Sequence, residues 1–103
     1  MRKQWCDMIV DSINGISLHL YTENSLFSPN HIDKGTLAML MIVDFRQGQK
    51  ILDLGCGYGV VGIYSAHFAG AEHVTMVDVD PIAVDFAKRN AIYNGLQDIF
   101  IFQ

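Results

Sequence analysis

The run Asp53-Leu54-Gly55-Cys56-Gly57-Tyr58-Gly59 joins the apolar segment Lys50-Ile51-Leu52 to a second apolar segment that starts at Val60. Three glycines in five residues let a backbone turn sharply and approach a ligand closely, so Gly55, Gly57 and Gly59 mark a candidate binding loop between a strand and a helix. Asp53 stands directly in front of it. About twenty residues on, Val77-Asp78-Val79-Asp80-Pro81 puts a second acid, Asp78, at the end of the next apolar run.

Spacing alone leaves two ligands open. Gly57, Gly59 and Gly62 satisfy Gly-x-Gly-x-x-Gly in a strand-to-helix context, which keeps NAD and an oxidoreductase in view. Charge separates the two. Beside a pyrophosphate, Asp53 would set like charges together, at about 4 kcal/mol for a ~4 Å separation and an effective dielectric of ~20. S-adenosylmethionine brings an ammonium and a sulfonium instead, and an acid next to the loop favours both. Asp78 is placed to accept from ribose hydroxyls, which either ligand carries.

Each residue also has a plain structural reading. An aspartate at a strand end can cap the following loop, and a glycine turn can serve close helix–sheet packing. In order, across two successive βα units, they point to a nucleoside site. Val79 either packs on an adenine face or is an ordinary exposed or core valine. Asp80 before Pro81 reads as a helix N-cap. Cys56 reads as a small residue filling the space between loop and sheet, and no nucleophile is required of it. Cys6 and Cys56 show no paired spacing, so a disulfide framework and a zinc site are both unsupported.

The elements that must position these residues follow from the pattern. Residues 5–13, then Asn14-Gly15, then residues 16–22 predict a β-hairpin, because Asn-Gly readily takes the positive φ angles of a two-residue turn. Ile16, Leu18 and Leu20 alternate with Ser17, His19 and Tyr21. Asp33 is placed to cap a helix running to about Phe45, and its apolar stretch from Leu37 to Val43 predicts a largely buried helix. Then come a strand over 50–54, a helix from Val60 to Ala69 stopped by Gly70, and a strand over 73–77. A helix from Pro81, burying Ala83, Phe86, Ala87 and Ala91, stops near Asn94-Gly95, and a third strand runs over 98–102. Alternating strands and helices favour a parallel α/β sheet.

On these residues the chain resembles class I S-adenosylmethionine-dependent methyltransferases. Asp53 to Gly59 and Val77 to Pro81 are similar to their motifs I and II. Leu26-Phe27-Ser28-Pro29 through Asp33-Lys34-Gly35-Thr36 is similar to the lead-in of the methyltransferase-small family, which includes enzymes that methylate guanine N2 in small-subunit ribosomal RNA. The resemblance implies an α/β, Rossmann-like fold preceded by a hairpin and a helix, with S-adenosylmethionine as cofactor. It implies that Asp53, Gly55, Cys56, Gly57 and Gly59 surround the methionine part, and that Asp78 with Val79 meets the nucleoside. Gly35 and Thr36 would lie beside the same pocket, although Thr36 is equally a first-turn hydroxyl without a ligand. Ribosomal RNA is the implied acceptor. Protein acceptors, a ribosomal protein or a release factor, are the main alternative.

The Asn-Pro-Pro segment of that family is absent from the 103 residues, and only three parallel strands are present where such sheets hold five or six. The expectation is therefore a single partial domain truncated after its third strand, with residues 1–30 as hairpin and lead-in and residues 31–103 as the cofactor-binding units. It would bind cofactor at most, and its open strand edge would favour a homodimer. Half of the residues are apolar, which supports one packed core. A formal charge of -4 gives no basic footprint for nucleic acid. The apolar stretches are too short for a membrane span, and the N-terminus lacks the apolar core of a signal peptide, so the expected location is the cytoplasm.

Overall fold

The computed structural model describes residues 7–103. The expected start of the first strand at Trp5, and Cys6 with it, lies outside the described residues. Strands β1 (Asp7–Ile13) and β2 (Ile16–Thr22) form an antiparallel hairpin in which Ile13 faces Ile16. Its turn is of the primed type that the Asn-Gly pair predicts, with φ of 49° at Asn14 and 82° at Gly15. Leu18 and Leu20 are fully buried, as the alternation requires.

Helix α1 (Lys34–Ile42) follows, then β3 (Ile51–Leu54), α2 (Val60–Ala69), β4 (Val74–Val77), α3 (Pro81–Tyr93) and β5 (Phe100–Phe102). The sheet is parallel in the order β3-β4-β5, with Leu54, Val77 and Phe102 in register. Helices α2 and α3 pack on the face that carries Val74, Met76 and Ile101. Leu52, Leu54, Phe100 and Phe102 alternate onto the opposite face and are exposed. One hydrophobic cluster joins Ile9, Ile13, Leu18 and Leu20 of the hairpin to Ile63, Tyr64, Met76 and Phe86 of the βα units.

Three expectations change. The third parallel strand begins at Phe100, not Asp98, because a turn precedes it in which Ile99 N–H donates to the Leu96 carbonyl at 3.2 Å. The first helix ends at Ile42, not near Phe45, and Leu40 is its one buried residue, while Met39, Met41 and Ile42 are exposed. An unbroken apolar run says that a helix lacks a polar face, but burial also needs a surface on each side. Here α1 meets the rest of the fold through Leu40, with Leu37 partly buried against the same cluster, and turns Met39, Met41 and Ile42 outward. The second parallel strand starts at Val74 because residues 71–73 form a 3₁₀ turn, closed by His73 N–H donating to the Gly70 carbonyl at 3.0 Å. Two of the three strand-to-helix junctions carry the side-chain caps expected of them. Asp33 accepts from Thr36 N–H at 3.0 Å, and Asp80 accepts from Ile82 N–H at 2.9 Å with Pro81 in the first turn.

Candidate functional site

At the carboxyl ends of β3 and β4 the chain leaves the sheet through the glycine loop. Gly55 and Cys56 N–H both donate to the Val77 carbonyl, at 2.8 and 3.0 Å, which folds the loop back over the neighbouring strand. Gly55, Gly57 and Gly59 all take positive φ, between 57° and 107°, where a side chain is strained. Gly62, the last glycine of the pattern, has a different duty. A Cβ there would lie 2.3 Å from the Met76 sulfur, so the glycine lets α2 settle onto β4.

The loop forms one wall of a cavity of about 290 Å³. Asp53, Gly55, Cys56, Gly57, Tyr58 and Asp78 line it from the sheet side, and Phe27, Ser28, Asp33 and Thr36 from the lead-in and the start of α1. The structure thus brings Asp53, Gly55, Cys56, Gly57, Asp78 and Thr36 to one cavity. Gly59 stands just behind, as the N-cap of α2. Gly35 lies on exposed α1 and Val79 is 90% exposed; neither lines the cavity. The Thr36 hydroxyl donates to Asp33 at 3.2 Å, so part of its bonding capacity serves the helix cap.

Asp53 accepts from Gly62 N–H at 3.1 Å, tying the end of β3 to the first turn of α2. Burial pushes its carboxyl up to about 6, the Gly62 bond opposes this, and nearby Asp78 adds to the rise. Asp78 braces the loop, taking Gly57 N–H on one oxygen and Asp80 N–H on the other, both at 2.9 Å. Burial and the two carboxylates hold the Cys56 thiol up at about 12, so it is a neutral thiol at physiological pH. Among the described residues, no lysine or arginine lines the cavity.

Sequence reasoning placed no ligand role on Phe27, Ser28 or Tyr58. The Tyr58 hydroxyl donates to the Ser28 carbonyl at 2.8 Å and so fastens the lead-in over the loop. The one local signal was the Phe-Ser pair itself; that it folds back to residue 58 depends on a contact thirty residues away.

The family model of the methyltransferase small domain matches residues 17–103. The chain belongs to that family. Among curated relatives, this methyltransferase small domain is 35% identical over 81 residues to ribosomal RNA small subunit methyltransferase C of Haemophilus influenzae (strain PittGG), covering 79% of this chain and 24% of that protein. It is 31% identical over 94 residues to the protein of the same name from Acinetobacter baylyi, covering 91% and 28%. The chain spans about a quarter of the length of these relatives. The fold matches the T. thermophilus 16S rRNA N2 methyltransferase in complex with AdoMet and guanosine, with a TM-score of 0.83 at 20% identity over 97% of this chain and 27% of that one. An RNA methyltransferase from Salinibacter ruber in complex with S-adenosyl-L-homocysteine is 30% identical, with a TM-score of 0.57 over 69% of this chain and 46% of that one. The fold class is that of the class I methyltransferases.

Proposed function

We propose that this domain binds S-adenosylmethionine in the cavity beside residues 55–59. We further propose that it belongs to a cytoplasmic enzyme that methylates an exocyclic base amine, guanine N2, in ribosomal RNA. The observation that carries the reading is the sign of the cavity. Asp33, Asp53 and Asp78 line it without an accompanying lysine or arginine among the described residues. Such a wall suits a ligand bearing an ammonium and a sulfonium and resists a pyrophosphate, which disfavours NAD. The names of the curated relatives support ribosomal RNA over the alternative, a protein acceptor.

Asp53 would face the ammonium group, and ionised it favours that charge. Asp78 would take the ribose hydroxyls, since each of its oxygens spends one acceptor site inside the protein and retains another. The bound cofactor supplies an electrophilic methyl carbon. The chain's own part is to hold donor and acceptor aligned and dry, and Cys56, neutral and buried, forms no covalent bond in that scheme. Among the described residues, no helix is long and apolar enough to cross a membrane.

Isothermal titration with S-adenosylmethionine and, separately, NAD tests the reading, with the melting temperature followed in parallel. At a hundredfold over its dissociation constant the true ligand stabilises the fold by about 2.7 kcal/mol. Binding of NAD alone overturns the assignment of Asp53.

A second reading concerns the 103-residue chain itself. Among the described residues, β5 pairs on one side only. Edge-to-edge pairing of two copies would satisfy the backbone groups of its free edge. Light scattering across a concentration series distinguishes monomer from dimer.

A further inference from the structure

The lead-in holds one side chain where a folding chain gains little by putting it. Phe27 lines the cavity and is 75% exposed, although its neighbour Leu26 is buried in the core. Its backbone is anchored on both sides. Leu26 N–H donates to the Glu23 carbonyl at 3.0 Å; beyond it, the Ser28 hydroxyl donates to the His31 carbonyl and the Ser28 carbonyl accepts from Tyr58. Ser28 has a φ of 52°, a left-handed conformation that a residue with a Cβ adopts rarely. The segment is pinned, and Phe27 is what it presents.

The surroundings limit what such a ring can meet. Three carboxylates line the cavity and, among the described residues, no lysine or arginine accompanies them, so nothing there pairs with a phosphate, whereas an uncharged flat group enters more easily. Tyr58, the other aromatic residue in the wall, is buried and its hydroxyl is engaged, which leaves Phe27 as the available ring face. A base that is to be methylated on an exocyclic amine must leave its own stack and needs a replacement surface. Stacking on Phe27 would fix the plane of the base and leave its edge, with the amine, free to turn toward the cofactor.

The geometry points to Phe27 as the stacking platform for the acceptor nucleobase, a substrate-binding residue at the mouth of the cofactor cavity. The inference rests on the cofactor reading above. The test uses the chain saturated with S-adenosyl-L-homocysteine, into which guanosine is titrated while the guanosine H8 resonance is followed by NMR. Going beyond the cofactor-only expectation drawn from the sequence, the wild-type chain should bind guanosine with an upfield ring-current shift of H8. Phe27→Ala should weaken guanosine about tenfold or more and abolish the shift, with S-adenosyl-L-homocysteine affinity changed less than about twofold, well below the stacking effect. Phe27→Trp should restore both guanosine readouts. Equal guanosine affinity in Phe27→Ala overturns the inference, as does a wild-type chain that binds S-adenosyl-L-homocysteine but no guanosine. Loss of S-adenosyl-L-homocysteine binding in Phe27→Ala, with the circular dichroism spectrum intact, gives the ring to the cofactor and also overturns it. A wild-type chain that fails to bind S-adenosyl-L-homocysteine overturns the cofactor reading, and this inference falls with it.

Discussion

Asn90 pairs with Tyr21 as a neighbouring β-strand would: its Oδ1 accepts from Tyr21 N–H at 2.6 Å and its Nδ2 donates to the Tyr21 carbonyl at 2.9 Å. One helical turn later Asn94 does the same to His19, at 3.3 and 2.8 Å. Helix α3 thereby closes the β2 edge of the hairpin with two amides spaced i, i+4. Asn90 also donates to the Tyr58 carbonyl at 2.8 Å, so the same buried side chain joins hairpin, helix and glycine loop.

Asn90→Ala should leave Tyr21 N–H and the Tyr58 carbonyl without partners and destabilise the fold by about 3 kcal/mol, since each stranded buried group costs roughly 1–3 kcal/mol. Asn94→Ala, at a wetter position, should cost about 1 kcal/mol. Urea unfolding of the two variants checks the order; equal losses would contradict the central place given to Asn90.

Gly62→Ala should overpack the contact with Met76, at about 1–3 kcal/mol. The partner is the fully buried Met76 side chain, not backbone, so trimming it should give relief. In a double-mutant cycle, Gly62→Ala with Met76→Ala should lose less than the sum of the two single changes.

The Asp53 carboxyl gives the domain two opposite responses to pH. Its value is raised to about 6 by burial, so the folded state keeps a proton that the unfolded state releases from about 3.8 upward. Its contribution to stability is full below about 3.8 and is lost as pH rises to about 6. A cationic ligand wants the ionised form, so S-adenosylmethionine affinity should rise by up to tenfold per pH unit below about 6 and level off above it. Calorimetric titrations at several pH values should show this slope in wild type and its absence in Asp53→Asn.

Cys56 should resist alkylation. With its thiol held up at about 12, iodoacetamide at neutral pH should modify it far more slowly than a free cysteine, as peptide mapping by mass spectrometry will show.

What was legible in the sequence was local. Asn14-Gly15 carries its own turn, Asp33 and Asp80 cap the helices that follow them, and Asp53 with the three glycines announces a loop at a strand end. What was not legible depends on partners far along the chain. Asn94 before Gly95 reads as a helix stop, and it is one, but its amide also reaches a strand seventy-five residues back. The apolar run of α1 predicts burial because composition reports what a helix can bury and not how much surface is offered to it. The cavity shows the same division: its acids and glycines could be named from spacing, whereas Phe27 and Ser28 join it only through the Tyr58 hydroxyl.

Tyr58 is gripped at both ends, its carbonyl by Asn90 and its hydroxyl against Ser28. The glycine loop is therefore not a portable cassette. A segment running from β3 to α3, transplanted beneath another sheet, would bring its glycines and acids but leave behind the hairpin and the lead-in that set the pitch of the loop. Engineers who borrow nucleotide-type loops between scaffolds would have to carry the hairpin and the lead-in as well, or build a substitute clamp for one tyrosine.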